Sequence, residues 1–240
     1  MELELQAILN RFSDGLIYVD EHTETISLDK KKQPYLKGVK TMREVSVVKE
    51  IVEWWKNKYP NDFTSLADVR DFFPYPASKK DFCDLVFSSD GESIDNAEWA
   101  IEVKHISFLG DNGKNNDYNV QKMLSPYLKD RSLIHDIHKL RKNPVARKQA
   151  VIGYCFNYDF STCDEALGLH PEQKTRIKQM RAVCKKNNDK TGELNIKDVV
   201  DFANQIFTTN NLARNLVQND FTGAWRHPCG GGGTIFGWEV

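Results

Sequence analysis

The chain has no long apolar run: nowhere do its 240 residues hold the roughly 20 consecutive apolar positions that a membrane-spanning helix needs. Its first residues, MELELQAILNRFSDG, are acidic and lack the basic-then-apolar order of a secretory leader. Cysteine is sparse and odd in number. Cys83, Cys155, Cys163, Cys184 and Cys229 are widely spaced and form no CxxC pair, which argues against a disulfide framework and for a reducing compartment. The expectation is a cytoplasmic protein with no membrane partner. Internal repeats are absent. The GK[ST] of a nucleotide-binding phosphate loop follows neither LGDNGKNN nor the glycine run Gly230–Gly233, and no GxSxG accompanies Cys155, so nucleotide and acyl-transfer chemistry lose their usual signatures. A formal net charge of −1 excludes a bulk pull towards any polyion.

What charge there is has been sorted along the chain. From Asp81 to Glu102 there are seven acids and no Lys or Arg; from Asn119 to Lys148 there are eight Lys or Arg against two Asp. An acidic focus followed by a basic stretch suits a cation site beside a polyanion-binding surface, and it equally suits two solvated faces of opposite sign.

Hydrophobic periodicity places the elements. GLIYVD and TETISL read as a strand pair around Glu21–His22. From about Thr41 to Lys58, Val45, Val47, Val48, Ile51, Val52, Trp54 and Trp55 fit one helical face, and Pro60 follows its end. FCDLVFS and EWAIEVKHISF read as strands, separated by the turn-like SSDGES. A helical region follows from about Val120 to Arg141, broken near Ser125–Pro126; then come the strand QAVIGYCFNY, helices near 171–187 and 196–207, and a final strand GGTIFGWEV. That order gives an α/β protein with a central mixed β-sheet flanked by helices.

Inside EWAIEVKH a carboxylate and an ammonium, Glu102 and Lys104, interrupt an apolar run. Side chains alternate along a strand, so Glu98, Ala100, Glu102, Lys104 and Ile106 share one face while Trp99, Ile101, Val103 and His105 share the other, the natural core face. In FCDLVF, Cys83, Leu85 and Phe87 fall together and Asp84 opposite them. Pairing the two strands with their apolar faces together makes Asp84, Glu102 and Lys104 converge. Two carboxylates there suit a hard divalent cation, because Mg²⁺ is held by one or two carboxylates with water and phosphate completing its shell. A neighbouring lysine would orient or help deprotonate water and offset transition-state charge. The competing reading is an exposed Glu–Lys pair with Asp84 beside a turn. Glu44 adds a further observation: at 100° per residue it falls in the middle of the helix's apolar arc. Either it aims a carboxylate at the sheet, which is costly unless paired or metal-bound, or it is a first-turn acid favoured by the helix dipole.

Asp84, then eighteen positions later Glu102-Val103-Lys104, preceded by a helix carrying Glu44, resembles the PD-(D/E)xK nuclease superfamily. Residues 40–157 carry the resemblance; Cys83 stands where many members have proline. The resemblance implies a restriction-endonuclease-like core at about 40–157, a helical C-terminal elaboration at about 158–240, and one nuclease domain overall. It implies that Asp84 and Glu102 hold Mg²⁺, or Mn²⁺ in its place, with the Val103 carbonyl as a further ligand. Lys104 would assist the nucleophile, and Glu44 would serve as the helical glutamate that many members add. Gln121, just past the second strand, is where members often place a polar residue that touches phosphate. Arg131, Lys139, Arg141 and Lys142 in the basic segment would contact the nucleic acid backbone, against the alternative of a solvated amphipathic helix. His135 and His138 lie three apart, but no acid or cysteine completes a zinc set.

The implied function is hydrolysis of phosphodiester bonds in DNA, as an endonuclease of restriction or phage defence. Its rivals are a repair or junction-resolving nuclease, a catalytically inactive nucleic-acid-binding module of the same fold, and a component that binds only protein. A homodimer or a partner protein is compatible with the residues after about 160.

Overall fold

Six strands form a single sheet in the spatial order β1-β2-β3-β4-β6-β5, in a computed structural model that describes residues 3–24, 28, 32, 34, 37–63, 68–76, 81–88, 97–107, 121–156, 196–227 and 231–240. In chain order the elements are α1 (Leu5–His22), α2 (Glu44–Lys58), β1 (Asp68–Pro74), β2 (Phe82–Ser88), β3 (Ala97–Ile106), α3 (Gln121–Leu124), α4 (Leu133–Lys142), β4 (Ala146–Phe156), α5 (Ile196–Thr209), β5 (Arg214–Ala224) and β6 (Gly231–Glu239). β3 and β4 run parallel and every other neighbouring pair is antiparallel. The chain is therefore an α/β protein with a mixed sheet flanked by helices.

Both faces of the sheet are covered. On one, α1 and α2 pack against Leu85, Phe87, Trp99, Ile101, Val103, Ile152 and Tyr154. On the other, α4 and α5 pack against Val86, Ala100, Ile106, Val151, Phe236 and Trp238. A strand buried on both sides reads as a near-continuous apolar run, which is what β3 and β4 show.

α2 begins at Glu44 after a 3₁₀ turn at Val39–Thr41 and ends at Lys58, ahead of Pro60. Val47, Val48, Ile51, Val52, Trp54 and Trp55 form its buried stripe, but Val45 is 52% exposed and lies outside it. The expected break after α3 is present. Pro126 follows its end, a 3₁₀ turn spans Leu128–Asp130, and α4 starts after Ser132, whose Oγ donates to Ser125 O (2.6 Å) and whose N–H donates to His135 Nδ1 (3.3 Å). His135 is thus a capping residue, with Nε2 3.1 Å from Pro126 O.

Three sequence expectations need correction. Residues 15–20, read as a strand, are the second half of α1. Leu5, Ile8, Leu9, Phe12, Leu16 and Val19 are buried at helical spacing, and burial against α2, β5 and β6 overrides the β-branched local pattern. Of the supposed partner strand, Leu28 makes an isolated bridge to Pro34. The described part of the C-terminal region is not a helical elaboration: it is α5 followed by two strands, and β6 sits between β4 and β5 as an integral sheet member. The helix expected near 171–187 lies outside the described residues. Finally, Cys83 does not share a face with Leu85 and Phe87. It packs with Tyr75 in the opposite layer, because Phe72 has φ +53° and drops out of the β1–β2 ladder between the pairs Asp71↔Leu85 and Phe73↔Cys83. Regular alternation fails at Asp84, the residue facing that kink.

The glycine run meets a structural need. Gly231 has φ +100°, with the Trp225 ring where a side chain would start, and a Cβ at Gly233 would collide with Cys155 O. Among the described residues no helix is long and apolar enough to cross a membrane.

Candidate active site where two strands part

The β2–β3 ladder runs from Ser88↔Ala97 to Leu85↔Ile101. Extended by one step, its register sets Asp84 opposite Glu102. β2 offers β3 no further backbone pairing there, and side-chain carboxylates take over. Val103 N–H donates to Asp84 Oδ2 at 2.8 Å, and His105 N–H donates to Glu44 Oε2 at 2.5 Å. Buried backbone donors must be satisfied, so these two acids extend the ladder beyond its last backbone pair. Glu44 reconciles its two readings: it is a first-turn acid of α2 and it reaches the sheet.

Glu102 and Lys104 point the other way, beneath α4. They are not on an exposed face. Glu102 is 1% and Lys104 8% exposed. α4 meets each with an opposite charge from residues one turn apart. Lys104 Nζ lies 3.0 Å from Asp136 Oδ2 and 3.8 Å from Glu44 Oε1. Lys139 Nζ lies 2.8 Å from Glu102 Oε1 and donates to Phe82 O at 3.1 Å. Tyr75, just after β1, donates its hydroxyl to the same Glu102 oxygen at 2.6 Å.

The cluster therefore gathers four carboxylates, Glu44, Asp84, Glu102 and Asp136, around two ammonium groups, Lys104 and Lys139. Full ionisation would crowd four negative charges into a poorly solvated place, with Lys122 also drawing on Glu44. The titration shifts follow from that. Burial, reinforced by Asp84, holds Glu102 well above the usual carboxylate range despite Lys139. Burial also raises Glu44 and Asp136, with Lys104 pulling both back. Burial pulls Lys104 down, but Glu44 and Asp136 outweigh it and keep the group cationic; Lys139 is raised through Glu102 against the same opposing burial. A lysine held cationic cannot serve as a general base near neutral pH.

The residues expected to touch nucleic acid separate into two groups. Lys139 belongs to the charge cluster rather than to an open phosphate-binding surface. Arg141 Nη2 donates to Asn211 O (2.5 Å) and Leu212 O (2.8 Å), tying α4 to the α5–β5 connection. Gln121, at the head of α3, and Arg131 and Lys142, at either end of α4, are exposed. Arg131 has a left-handed backbone, φ +46°.

Sequence reasoning missed Asp136 and Tyr75. Asp136 carried a readable signal: it interrupts the buried stripe Leu133, Ile137, Leu140, the same anomaly that marks Glu44. Tyr75 lies beside a strand with no alternation to betray it. Asp81, just before β2, is exposed, and its carbonyl accepts from Tyr75 N–H.

Among the described residues no set of three or more His, Cys, Asp or Glu side chains converges as a metal-holding group. The Asp84–Glu102 pair is smaller than that, and two carboxylates are what Mg²⁺ ordinarily takes from protein. Asp84 and the buried Glu102, which act on each other electrostatically, are the pair that fits such an ion. No family model, curated protein or solved structure matches the chain.

Proposed function

We propose that the protein is a metal-dependent nuclease, with the parting of β2 and β3 as its active site and a restriction-endonuclease-like core around it. What supports this reading is a Glu102 buried beneath α4, with Asp84 near enough to act on it electrostatically, beside a Lys104 held cationic by Asp136 and Glu44. Asp84 and Glu102 would hold Mg²⁺ or Mn²⁺, and the backbone at Val103 lies between Glu102 and Lys104 where its carbonyl can join them. Such an ion supplies Lewis-acid polarisation of a phosphate oxygen and lowers the pKa of water. Lys104, fixed by Asp136 and Glu44, orients the attacking water and offsets charge developing on the phosphoryl group. Glu44 holds the β3 backbone at His105 and so fixes where Lys104 sits. Tyr75 fixes Glu102.

DNA is the proposed substrate, and restriction or phage defence in the cytoplasm the proposed setting, on the strength of the superfamily resemblance; repair or junction resolution uses the same chemistry. Exposed Gln121, Arg131 and Lys142 would meet the phosphate backbone.

One observation favours a second reading. Asp84 and Glu44 already serve backbone donors, and Glu102 already has two partners. That is also the pattern of an inactive nucleic-acid-binding module with a structural charge cluster.

Incubation of plasmid, linear and single-stranded DNA with Mg²⁺ or Mn²⁺ separates the two. Cleavage by the wild type that Asp84→Ala and Lys104→Ala both abolish, with both variants folded, establishes the nuclease. Cleavage that survives both overturns this site, and salt-dependent binding without cleavage supports the inactive module.

A further inference from the structure

Of the two paired lysines in the cluster, Lys139 is the more open to solvent. The Lys104 side chain is 10% exposed and enclosed by Asp136 and Glu44; Lys139 is 27% exposed, on a surface turn of α4. Its Nζ nonetheless lies 2.8 Å from Glu102 Oε1, the oxygen that Tyr75 also engages, and 5.4 Å from the centre of the Tyr75 ring. Glu102 itself, 2% exposed at its side chain, cannot leave. A divalent ion drawing on Glu102 would have to share that carboxylate with an ammonium at hydrogen-bond distance, and like charges in a poorly solvated site repel strongly. One of the two must go, and Lys139 is the one that can.

We infer that Lys139 is the resident counter-ion of Glu102 and competes with the divalent ion for it, so that metal loading requires the Lys139 ammonium to swing out of the site. The inference rests on the nuclease reading above and adds its regulation. Once out, Lys139 stands on the exposed side of α4, one turn from Lys142. A nucleic acid phosphate at that rim would hold it there. Binding of the polyanion and loading of the metal then favour each other, and the coupling is reciprocal. An idle enzyme would carry its own harmless cation and take up the catalytic one on its substrate.

The test is calorimetric titration with Ca²⁺, a hard cation chosen to avoid turnover, of the wild type, Lys139→Met, Lys139→Arg and Asp84→Ala, each with and without a short DNA duplex. Lys139→Met is expected to bind Ca²⁺ on the order of tenfold more tightly than the wild type, and Lys139→Arg as weakly as the wild type. Duplex DNA is expected to tighten Ca²⁺ binding to the wild type and to leave Lys139→Met nearly unchanged. Should Lys139→Met lose its fold, Lys139→Gln carries the same comparison. Equal or weaker Ca²⁺ binding by the uncharged variant, where the wild type binds in an Asp84-dependent way, overturns this inference and leaves the metal site standing. Absence of any Asp84-dependent binding overturns the metal site and the inference together.

Discussion

Lys104 and Asp136 form an ion pair of 3.0 Å between the sheet and the helix that crosses it, both side chains at or below 10% exposure. Removing one partner strands the other. Asp136→Asn is expected to cost about 3–5 kcal/mol of stability, towards the lower end because Glu44 remains 3.8 Å from Lys104 Nζ. Pairing the change with Lys104→Met should recover much of the loss. Urea unfolding of both variants decides it; a loss below about 1 kcal/mol for the single variant would mean that the pair is solvated and positions nothing.

His105 gives the stability curve an acid limb. Burial, with Lys40 and Lys122 adding, lowers its pKa from 6.5 to about 3. A depressed histidine contributes stability above its unfolded pKa and loses it as pH falls towards the folded value. The window therefore runs from about 6.5 down to about 3, with a slope of up to about 1.4 kcal/mol per pH unit. Glu44, Glu102 and Asp136 are raised, so their protonation works in the opposite sense, and only the difference between two proteins isolates His105. His105→Phe keeps a ring stacked on Tyr154, now 4.7 Å away and nearly parallel, and is expected to flatten the limb relative to the wild type. Parallel pH–stability curves would refute it.

The basic residues of α4 should not behave alike. Arg131→Ala and Lys142→Ala are expected to weaken DNA binding across sequences and to lower the salt slope by roughly one each, with little change in stability. Arg141→Ala is expected instead to destabilise by about 1–3 kcal/mol through its two carbonyl partners, Asn211 and Leu212. Salt-dependent affinity and thermal melting of the three variants separate the roles.

At the centre of the sheet, a Cβ on Gly153 would run into the ring of Phe236 on the adjoining strand. Gly153→Ala is expected to cost about 1–3 kcal/mol, as overpacking of a close-packed core does. Denaturant titration checks it, and a neutral result would mean that β4 and β6 hold a looser register.

The elements legible in the sequence are those whose apolar pattern is local: a helical stripe in α2 and α5, and short apolar runs in β2, β3, β4 and β6. α2, α5, β2, β3, β4 and β6 lie within a few residues of their expected bounds. α1 was misread because LIYVD has strand-like chemistry, and only the longer stripe from Leu5 to Val19 reveals the helix. β5 went unread because RNLVQNDFTGA is an edge strand with mixed burial, its pairing supplied by β6 and not by its own pattern. The candidate site was half visible. Asp84, Glu102 and Lys104 stand out because charge is rare in apolar strands, whereas their partners Asp136 and Lys139 sit on a helix where charge is ordinary. Strand alternation suggested one buried and one open face; α4 and α5, which cover the second, have no sequence link to the strands they shield.

α1 buries its apolar stripe against β5 and β6 as well as α2, although some two hundred residues of chain separate it from those strands. Until residues 214–239 have been synthesised, the stripe from Leu5 to Val19 lacks part of its lid. The nascent chain must carry a sticky surface until those strands emerge, and closure waits on contacts of very long sequence separation, the kind that form slowly. Whatever shields that stripe in the meantime has to let go when β5 and β6 arrive.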